Sequence, residues 1–532
     1  MKLRYPLCRT SVKNSDSSKK SISHFYNKAS YGKVTLLPAE ETFGTHNNGV
    51  VGWLRIGKHP NTGDTDDTDK PVLRKLVSNA ITEAAKYVDF AAFDTNSDKY
   101  VDTDELAVVI IAAGYEHSYA PDPATPNVHG HRFALEDADA PVVNGVKVGV
   151  YREGAGGYAM FGEVHDESWV PDEHMATLGI MVHELGHLIF KWPDLYDTDE
   201  SSAGLGAYDV MSAGNWGRTG KTNLGVLEEW GGETPVLPSA YLKLISNWVD
   251  GAIGNGLDNF TKTVYIFAAG SEYVTHSNSV FRLTPGSTND REYFLVENRQ
   301  DQGYDKGLEE WLGEGFGGGL AIYHIDANQT DNRNDSHRLV NIETADNYQM
   351  TPKGHKGQNT NLWYKSNATT FNDASTPNSK LYDGRPSGVS VVDIGDTQTV
   401  MNATLSLTSS ITSQTLSFKA DFNRDKINDI LSVDSSTGEI NIWLLNYAGG
   451  VTKRKLVGVS SKGLSILGIG KFDNSDRNNI LLMNPTNGDV IVWTLHEGDF
   501  SLYSEPLAKR NQNSIKISAL PSSMRSKFYS LI

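Results

Sequence analysis

The segment HELGH at residues 183–187 has the residue types and the spacing that a divalent metal site requires. Its two histidines are four residues apart, so in a helix they lie on one face, where both imidazoles can bind one zinc ion. Glu184 then lies beside the ion and can remove a proton from a water molecule. Zinc lowers the pKa of such a water toward about 7 and polarises an amide carbonyl, so the motif predicts peptide-bond hydrolysis with one catalytic zinc ion.

The residues around the motif predict the helix that carries it and a third ligand. Pro171 and Asp172 are typical of a helix start, so we expect one helix over DEHMATLGIMVHELGHLIF, ending before Pro193. The following segment WPDLYDTD turns the chain back and offers two carboxylates. We predict that Asp194 is the third zinc ligand, with Asp197 as the alternative.

A second group of oxygen donors lies in DTNSDKYVDTDE, residues 94–105, which matches the ligand spacing of an EF-hand calcium loop. Lys99 replaces the glycine that is usual at the sixth position, which should weaken calcium binding, and an Asx-rich turn without metal is the alternative. We expect the loop to join a helix to a strand and to stabilise the fold. The predicted calcium ligands are Asp94, Asn96, Asp98, the Tyr100 carbonyl, Asp102 and Glu105.

The C-terminal part contains one pattern twice, fifty residues apart. ADFNRDKINDILSVDSSTGEINIWLL begins at Ala420, and GKFDNSDRNNILLMNPTNGDVIVWTL begins at Gly470. Each copy predicts a loop, a strand, a turn and a second strand. Two copies cannot close a propeller, so we expect a small all-β module in which the matching Trp443 and Trp493 are core residues.

The loop of the first copy again alternates oxygen donors, which predicts a further calcium site, with a plain turn as the alternative. The second copy has Lys471 in the first ligand position, so we expect it to bind no ion. The predicted ligands of the first loop are Asp421, Asn423, Asp425 and Asp429.

Composition excludes several classes of protein. The chain of 532 residues has 48 Lys and Arg against 65 Asp and Glu, a net charge of −17, which argues against nucleic acid or anionic lipid as a partner. The longest apolar run, residues 106–114, is half of the roughly 18 residues that a membrane helix needs, so we expect no membrane span. A single cysteine excludes an internal disulfide, and the N-terminus shows no apolar export signal in this sequence.

The pattern along the chain predicts an α+β protein in several parts. In residues 31–250, strands at 48–56 and 105–114 alternate with a helix at 72–88, which predicts an α/β or α+β unit. Because this unit contains HELGH, it is the expected zinc metallopeptidase domain. Residues 251–407 are β-branched and aromatic, which predicts an antiparallel, β-sandwich-like domain. Its predicted strands are 262–268, 279–283, 292–298 and 319–325. The remaining predicted parts are a disordered or remnant lead-in at 1–30, a Ser/Thr-rich linker at 408–417 and the repeat module at 418–532.

Five segments, in this order, resemble the immune inhibitor A family of secreted bacterial zinc metalloendopeptidases. They are HELGHLIFKWPDLYDTD, DVMSAGNWG (209–217), PVLPSAYLKLISNWV (235–249), EYFLVENRQ (292–300) and GGGLAIYHID (317–326), within a resemblance that covers about residues 26–407. The resemblance implies a metzincin-like protease with His183, His187 and Asp194 as zinc ligands and Glu184 as general base. It also implies that Met211 is the methionine of the turn beneath the metal, that the substrates are proteins or peptides, and that the protein is secreted.

The resemblance extends to the repeats and includes one departure from the family pattern. The loop at 421–429 resembles the calcium loops of FG-GAP repeats, which implies that the module could tether the protein to a surface or to a polymeric substrate.

The immune inhibitor A family has a glycine where this chain has Phe190, and one residue is inserted before Pro193. Phenylalanine resists the left-handed conformation that a glycine would adopt there. A catalytically silent, calcium-dependent adhesion or binding protein is therefore the alternative function.

Overall fold

We describe the protein from a computed structural model. The described residues are 20–63, 71–119, 124–152, 155–166, 173–220, 229–255, 260–285, 291–348, 350, 356–408, 414–434, 439–446, 451–459, 465–471, 478–483, 490–495 and 502–508.

Helices are few and short, and all lie before residue 370 in the described part of the chain. The α-helices are α1 Ile22–Ala29, α2 Pro71–Ala84, α3 Leu178–Phe190, α4 Ala240–Ile245 and α5 Glu309–Leu312. Short 3₁₀ helices span Phe90–Phe93, His117–Tyr119, Gly206–Tyr208, Ala213–Trp216, Gly303–Leu308 and Asn359–Asn361.

Strands form most of the regular structure. They are β1 Tyr100–Val101, β2 Val108–Glu116, β3 Asn127–Val128, β4 His131–Phe133, β5 Val142–Val143, β6 Val146–Val148, β7 Tyr151–Arg152, β8 Ala155–Gly156, β9 Tyr158–His165, β10 His174–Met175, β11 Ala252–Asn255, β12 Phe260–Phe267, β13 Val280–Thr284, β14 Glu292–Arg299, β15 Gly319–Asp326, β16 Val340–Ile342, β17 Val389–Val392, β18 Val400–Leu407, β19 Gln414–Ala420, β20 Asp429–Asp434, β21 Glu439–Leu445, β22 Val451–Val459, β23 Ser465–Gly470, β24 Asn479–Met483, β25 Val490–Leu495 and β26 Leu502–Ala508.

Helix α3, which carries HELGH, packs on a mixed sheet of order β10-β9-β2-β3, with β4 alongside β9. Strand β9 is parallel to β2 and antiparallel to β4 and β10. Its side chains alternate between two cores: Ala159 and Phe161 share the core of α3, whereas Tyr158 and Met160 share the core of α2. One face of this sheet therefore packs against the helix that carries the metal motif.

Residues 252–407 form the β-sandwich-like part that the sequence predicts. A five-stranded sheet of order β11-β13-β14-β15-β16 faces a three-stranded sheet of order β12-β18-β17. Phe294, Ile322 and Met401 lie in the core between the two sheets, whereas Leu295 and Tyr323 lie in the core that contains α3. Strands β14 and β15 are covered on both faces, which explains why their sequences are apolar almost without interruption.

A buried ion pair also joins the sandwich to the segment before Met211. Arg299, at the end of β14, is 0% exposed and pairs with Asp305 through two hydrogen bonds of 2.7 and 2.6 Å. The same guanidinium donates to the carbonyls of Tyr208 (2.9 Å) and Leu237 (3.2 Å). Because a buried guanidinium needs all these acceptors, the sheet and the Met211 segment are held in one relative position.

The repeat module consists of two four-stranded antiparallel sheets, β19-β20-β21-β22 and β23-β24-β25-β26. The two copies have the same register, because Ile430 pairs with Trp443 and Ile480 pairs with Trp493. Both tryptophans are buried, with 3% and 7% of their surface exposed, and the sheets share one apolar core. The repeat that the sequence shows is thus a repeat of the fold.

The structure corrects three parts of the expected organisation. Residues 22–29, within the expected disordered lead-in, form helix α1, although residues 1–19 lie outside the described part. The expected strand at 48–56 belongs to no sheet. The Ser/Thr-rich segment at 408–417 is not wholly a linker, because from Gln414 it pairs with β20. Within the part of the chain that the structure describes, no helix combines the length and apolarity needed to cross a bilayer.

Candidate metal centre

Helix α3 begins at Leu178, with Thr177 as N-cap, and not at Pro171 as the sequence suggests. His174 and Met175 instead form β10, which pairs with the end of β9. The Thr177 hydroxyl donates to the carbonyl of Gly231 at 2.7 Å, so the helix start is fixed by residues distant in sequence. The helix is therefore shorter than predicted but contains the whole HELGH motif.

The interior of α3 is almost wholly buried, which places the polar motif inside the protein. His183 is 6% exposed and Glu184 is 8% exposed. A Cβ atom on Gly186 would lie 2.7 Å from Trp192 and 2.8 Å from Met211 Sδ, so only glycine allows the Met211 turn to pack this closely. Met211 itself is fully buried.

Two backbone carbonyls orient the histidine rings. His183 Nδ1 lies 3.0 Å from the Val210 carbonyl, and His187 Nδ1 lies 2.6 Å from the Trp192 carbonyl. In each ring Nδ1 therefore carries a proton and donates it, so Nε2 is the atom whose lone pair is free for a metal when the ring is neutral. Contacts of this kind commonly fix the tautomer of metal-binding histidines.

Both Nε2 atoms face Asp194. Asp194 Oδ1 lies 3.2 Å from His183 Nε2 and 3.1 Å from His187 Nε2. One atom from each of these three residues lies within 4.8 Å of the others, the only such group of His, Cys, Asp and Glu side chains among the described residues. Asp194 Oδ1 is buried yet makes no well-aligned hydrogen bond. Two imidazole nitrogens and one carboxylate oxygen fit the donor set of a zinc ion.

The charges of the site also favour a cation between these side chains. Burial by itself lowers the pKa of His183, but contact with Asp194 and the charge of Glu184 outweigh it and raise that pKa to about 9. Burial likewise raises the pKa of Asp194, but the two imidazoles lower it well below its ordinary value. The two carboxylates thus create a negative potential at the Nε2 atoms, which a divalent cation would neutralise.

The end of α3 explains how Asp194 reaches this position although the helix continues through Phe190. Phe190 remains helical, and the left-handed conformation is taken one residue later by Lys191, with φ 58° and ψ 31°. The Trp192 amide then bonds back to the Gly186 carbonyl at 3.2 Å. The helix therefore ends directly after Phe190, and the left-handed residue Lys191 turns the chain toward the histidines.

Asp197, the alternative ligand, is hydrogen-bonded within the loop that follows Asp194. Its carboxylate accepts hydrogen bonds from the Asp199 amide (3.1 Å), the Ser201 hydroxyl (2.8 Å) and both the amide and hydroxyl of Ser202 (2.8 Å each). These bonds fold the loop that follows Asp194. The geometry therefore favours Asp194 as the third ligand and assigns Asp197 to loop structure.

The predicted calcium loop at 94–105 follows the 3₁₀ helix Phe90–Phe93 and contains β1, and its carboxylates are partly held by the loop backbone. Asp94 accepts from the amides of Asp98 (3.0 Å) and Lys99 (3.2 Å), and Glu105 accepts from the Thr95 amide (2.7 Å). Lys99 takes φ 73°, the left-handed value for which glycine is usual. In this described loop, no three acidic side chains converge as closely as the residues around HELGH.

The predicted loop of the first repeat is arranged in the same way. Asp421 accepts from the amides of Arg424 (2.6 Å) and Lys426 (2.9 Å), whereas Asp429 accepts from those of Phe422 (2.8 Å) and Leu445 (3.0 Å). Burial raises the pKa of Asp429, and these amides oppose the shift. Asn423 and Asp425 are exposed. In the second copy, residues 472–477 lie outside the described part.

Sequence reasoning missed the residues that hold α3 from its other sides. Tyr26 of α1 is fully buried, donates a hydrogen bond to the Val182 carbonyl and packs against Phe190 and Trp192. A signal was present, because Ser21 caps a helix in which Phe25, Tyr26 and Ala29 have the spacing of one face. Arg132 of β4 was also missed, although its short strand follows His129 and Gly130 in the segment HGHRF.

A comparison with models of known protein families finds no match to this chain, and a comparison with curated proteins finds none either.

Proposed function

We propose that the chain is a zinc-dependent endopeptidase with Glu184 as its general base. The observation that carries this proposal is the convergence of His183, His187 and Asp194 within 4.8 Å, on a buried helix that also carries Glu184. The resemblance to the immune inhibitor A family gives these residues the same roles. It supports a metzincin-like catalytic domain, protein or peptide substrates and a secreted protein.

The roles of the residues follow from their donors and their burial. His183 and His187 through Nε2, with Asp194 through its carboxylate, would hold the ion and leave one position open. When bound, zinc supplies Lewis acidity toward the scissile carbonyl and toward water. Glu184 follows His183 in the sequence and is the nearby carboxylate without a ligand role. It takes a proton from the attacking water and delivers it to the leaving amine.

The test of this function is metal analysis combined with proteolysis. We expect one zinc ion per purified chain, removal of that ion by a chelator, loss of casein cleavage in the same proportion, and recovery when zinc is returned. A chain that holds no zinc and cuts no protein under these conditions would instead support the adhesion alternative.

We further propose that the loop at 94–105 binds calcium and stabilises the fold. Its support is the ligand spacing together with the left-handed turn at Lys99, which allows the loop to close. Calcium at about 10 to 100 times its Kd should stabilise the folded protein by about 1.4 to 2.7 kcal/mol.

Asp94→Asn should remove most of this stabilisation, because it removes a charge while it retains one of the two oxygens that accept the loop amides. Asp104→Asn, at an exposed position of the same loop that is not a proposed ligand, is the matched control. Calorimetry of each protein with calcium and with magnesium measures the effect. Equal gains from calcium in the wild type and in Asp94→Asn would rule out this loop as the site.

The repeat module is proposed to tether the protein to a surface or to a polymeric substrate. The loop at 421–429 is a second proposed calcium site in this role, supported by the spacing of its four oxygen donors.

A further inference from the structure

Strand β4 is held in contact with α3 beside Glu184. A Cβ atom on Gly130, directly before β4, would lie 2.8 Å from the Ile180 side chain, so the strand approaches the helix as closely as a backbone can. Glu116 fixes this approach, because its buried carboxylate accepts from the amides of Gly130 (2.7 Å) and Gly162 of β9 (2.9 Å). The position of β4 relative to α3 is therefore well defined.

Alternation along β4 places Arg132 on the face toward α3. Arg132 pairs with Ala159, whose side chain lies in the core of α3, whereas His131 and Phe133 pair with Met160 and Tyr158 of the opposite core. Gly130 and Arg132 are two residues apart, about 6.6 Å along a strand. Ile180 and Glu184 are one helical turn apart, about 6 Å along α3.

Arg132 and Glu184 therefore come close together without forming an ion pair. The carboxylate acts on the guanidinium electrostatically, although burial of the guanidinium has the larger effect and lowers the pKa of Arg132. The guanidinium donates to the Gly156 carbonyl at 3.0 Å and lies 5.0 Å from the centre of the Tyr151 ring. Its Nε is buried without a hydrogen-bond partner. Among the described residues, no carboxylate pairs with it.

A half-buried guanidinium without a carboxylate partner is suited to bind an anion, since its planar N–H groups match a carboxylate. Tyr151, whose ring lies beside the Arg132 guanidinium, is 52% exposed, so a substrate peptide can reach the guanidinium from solvent. We propose that Arg132 is a specificity-determining residue that selects peptide substrates with an aspartate or glutamate side chain close to the scissile bond. This inference rests on the proposed endopeptidase function.

The experiment compares cleavage of peptides that differ only in one residue. Cut sites in a peptide digest are mapped first, and the best peptide is then made with Glu, Gln or Lys at each position within three residues of the scissile bond. The wild type should prefer Glu over Gln at one position by about 10-fold in kcat/KM, mostly through KM, because the pair forms on binding. Arg132→Gln should abolish this preference, Arg132→Lys should retain part of it, and Arg132→Glu should shift it toward Lys.

Zinc content and thermal stability are measured for every variant, and Arg282→Gln is the matched control. Arg282 also lies over a tyrosine ring, 3.9 Å from Tyr293, but it belongs to β13 of the sandwich. An unchanged preference in Arg132→Gln would overturn the inference, as would an equal fall in kcat for Glu and Gln peptides. Cleavage without preference by a zinc-loaded wild type would refute the inference alone. A wild type that binds no zinc and cuts nothing would refute the proposed function as well.

Discussion

Glu184→Gln is expected to lower kcat by about 10²- to 10⁴-fold while the protein keeps one zinc ion per chain. The amide has nearly the shape of the carboxylate, so α3 and the rings of His183 and His187 should keep their positions. It cannot accept a proton from water at neutral pH, however, and the step that forms the nucleophile is lost. KM should change little, because the carboxylate acts on the reacting water and not on the bound peptide.

The measurement is steady-state peptide hydrolysis together with zinc analysis of the same sample. The same substitution at the exposed Glu173, just before β10, provides the control and should leave kcat unchanged. Proteolysis that persists in a clean preparation of Glu184→Gln would show that another group acts as the base.

Asp194→Asn is expected to weaken zinc binding by at least about 100-fold, since even residues that only orient metal ligands contribute 10- to 100-fold. The variant replaces a carboxylate 3.2 and 3.1 Å from the two Nε2 atoms by a neutral amide, so the site loses both a ligand and its negative charge. Activity should fall at limiting zinc and recover in part when zinc is added in excess.

Asp197→Asn is the matched control for this ligand assignment. Its carboxylate accepts from Ser201 and Ser202, so the amide would leave one of these donors poorly paired, at a cost of about 1 to 3 kcal/mol of stability. Zinc affinity, measured by competition with a chelator, should remain near that of the wild type. The reverse result, with zinc lost in Asp197→Asn and kept in Asp194→Asn, would make Asp197 the ligand.

The candidate site was predictable where it depends on local spacing. Residues at i and i+4 share a helical face in any fold, so the approach of His183 to His187 follows from five residues of sequence. The start of α3 was not predictable in this way. His174 and Met175 have neighbours typical of a helix, but they pair with β9 and belong to a sheet, and residues 166–173 separate the two paired strands.

The choice between Asp194 and Asp197 depended on backbone geometry that composition does not reveal. Lys191, a residue that seldom adopts positive φ, takes the left-handed conformation because the Trp192 ring packs between Tyr26 and Trp248 and fixes the turn.

In the sandwich, by contrast, β-branched and aromatic runs identified β12 to β15 to within two residues at each end. The sequence repeat likewise identified equivalent strands in the two copies, because within each copy the strands pair with one another.

The core that α3 shares with β14 and β15 means that the chain cannot be divided at residue 250 into independent units. A fragment ending there would leave the partners of Leu295 and Tyr323 exposed to water, and the carbonyls of Tyr208 and Leu237 would lose the guanidinium of Arg299. The sandwich thus supplies part of the packing that shapes the metal centre. Residues 22–407 should therefore be exchanged between proteins only as one unit, because neither part keeps its core without the other.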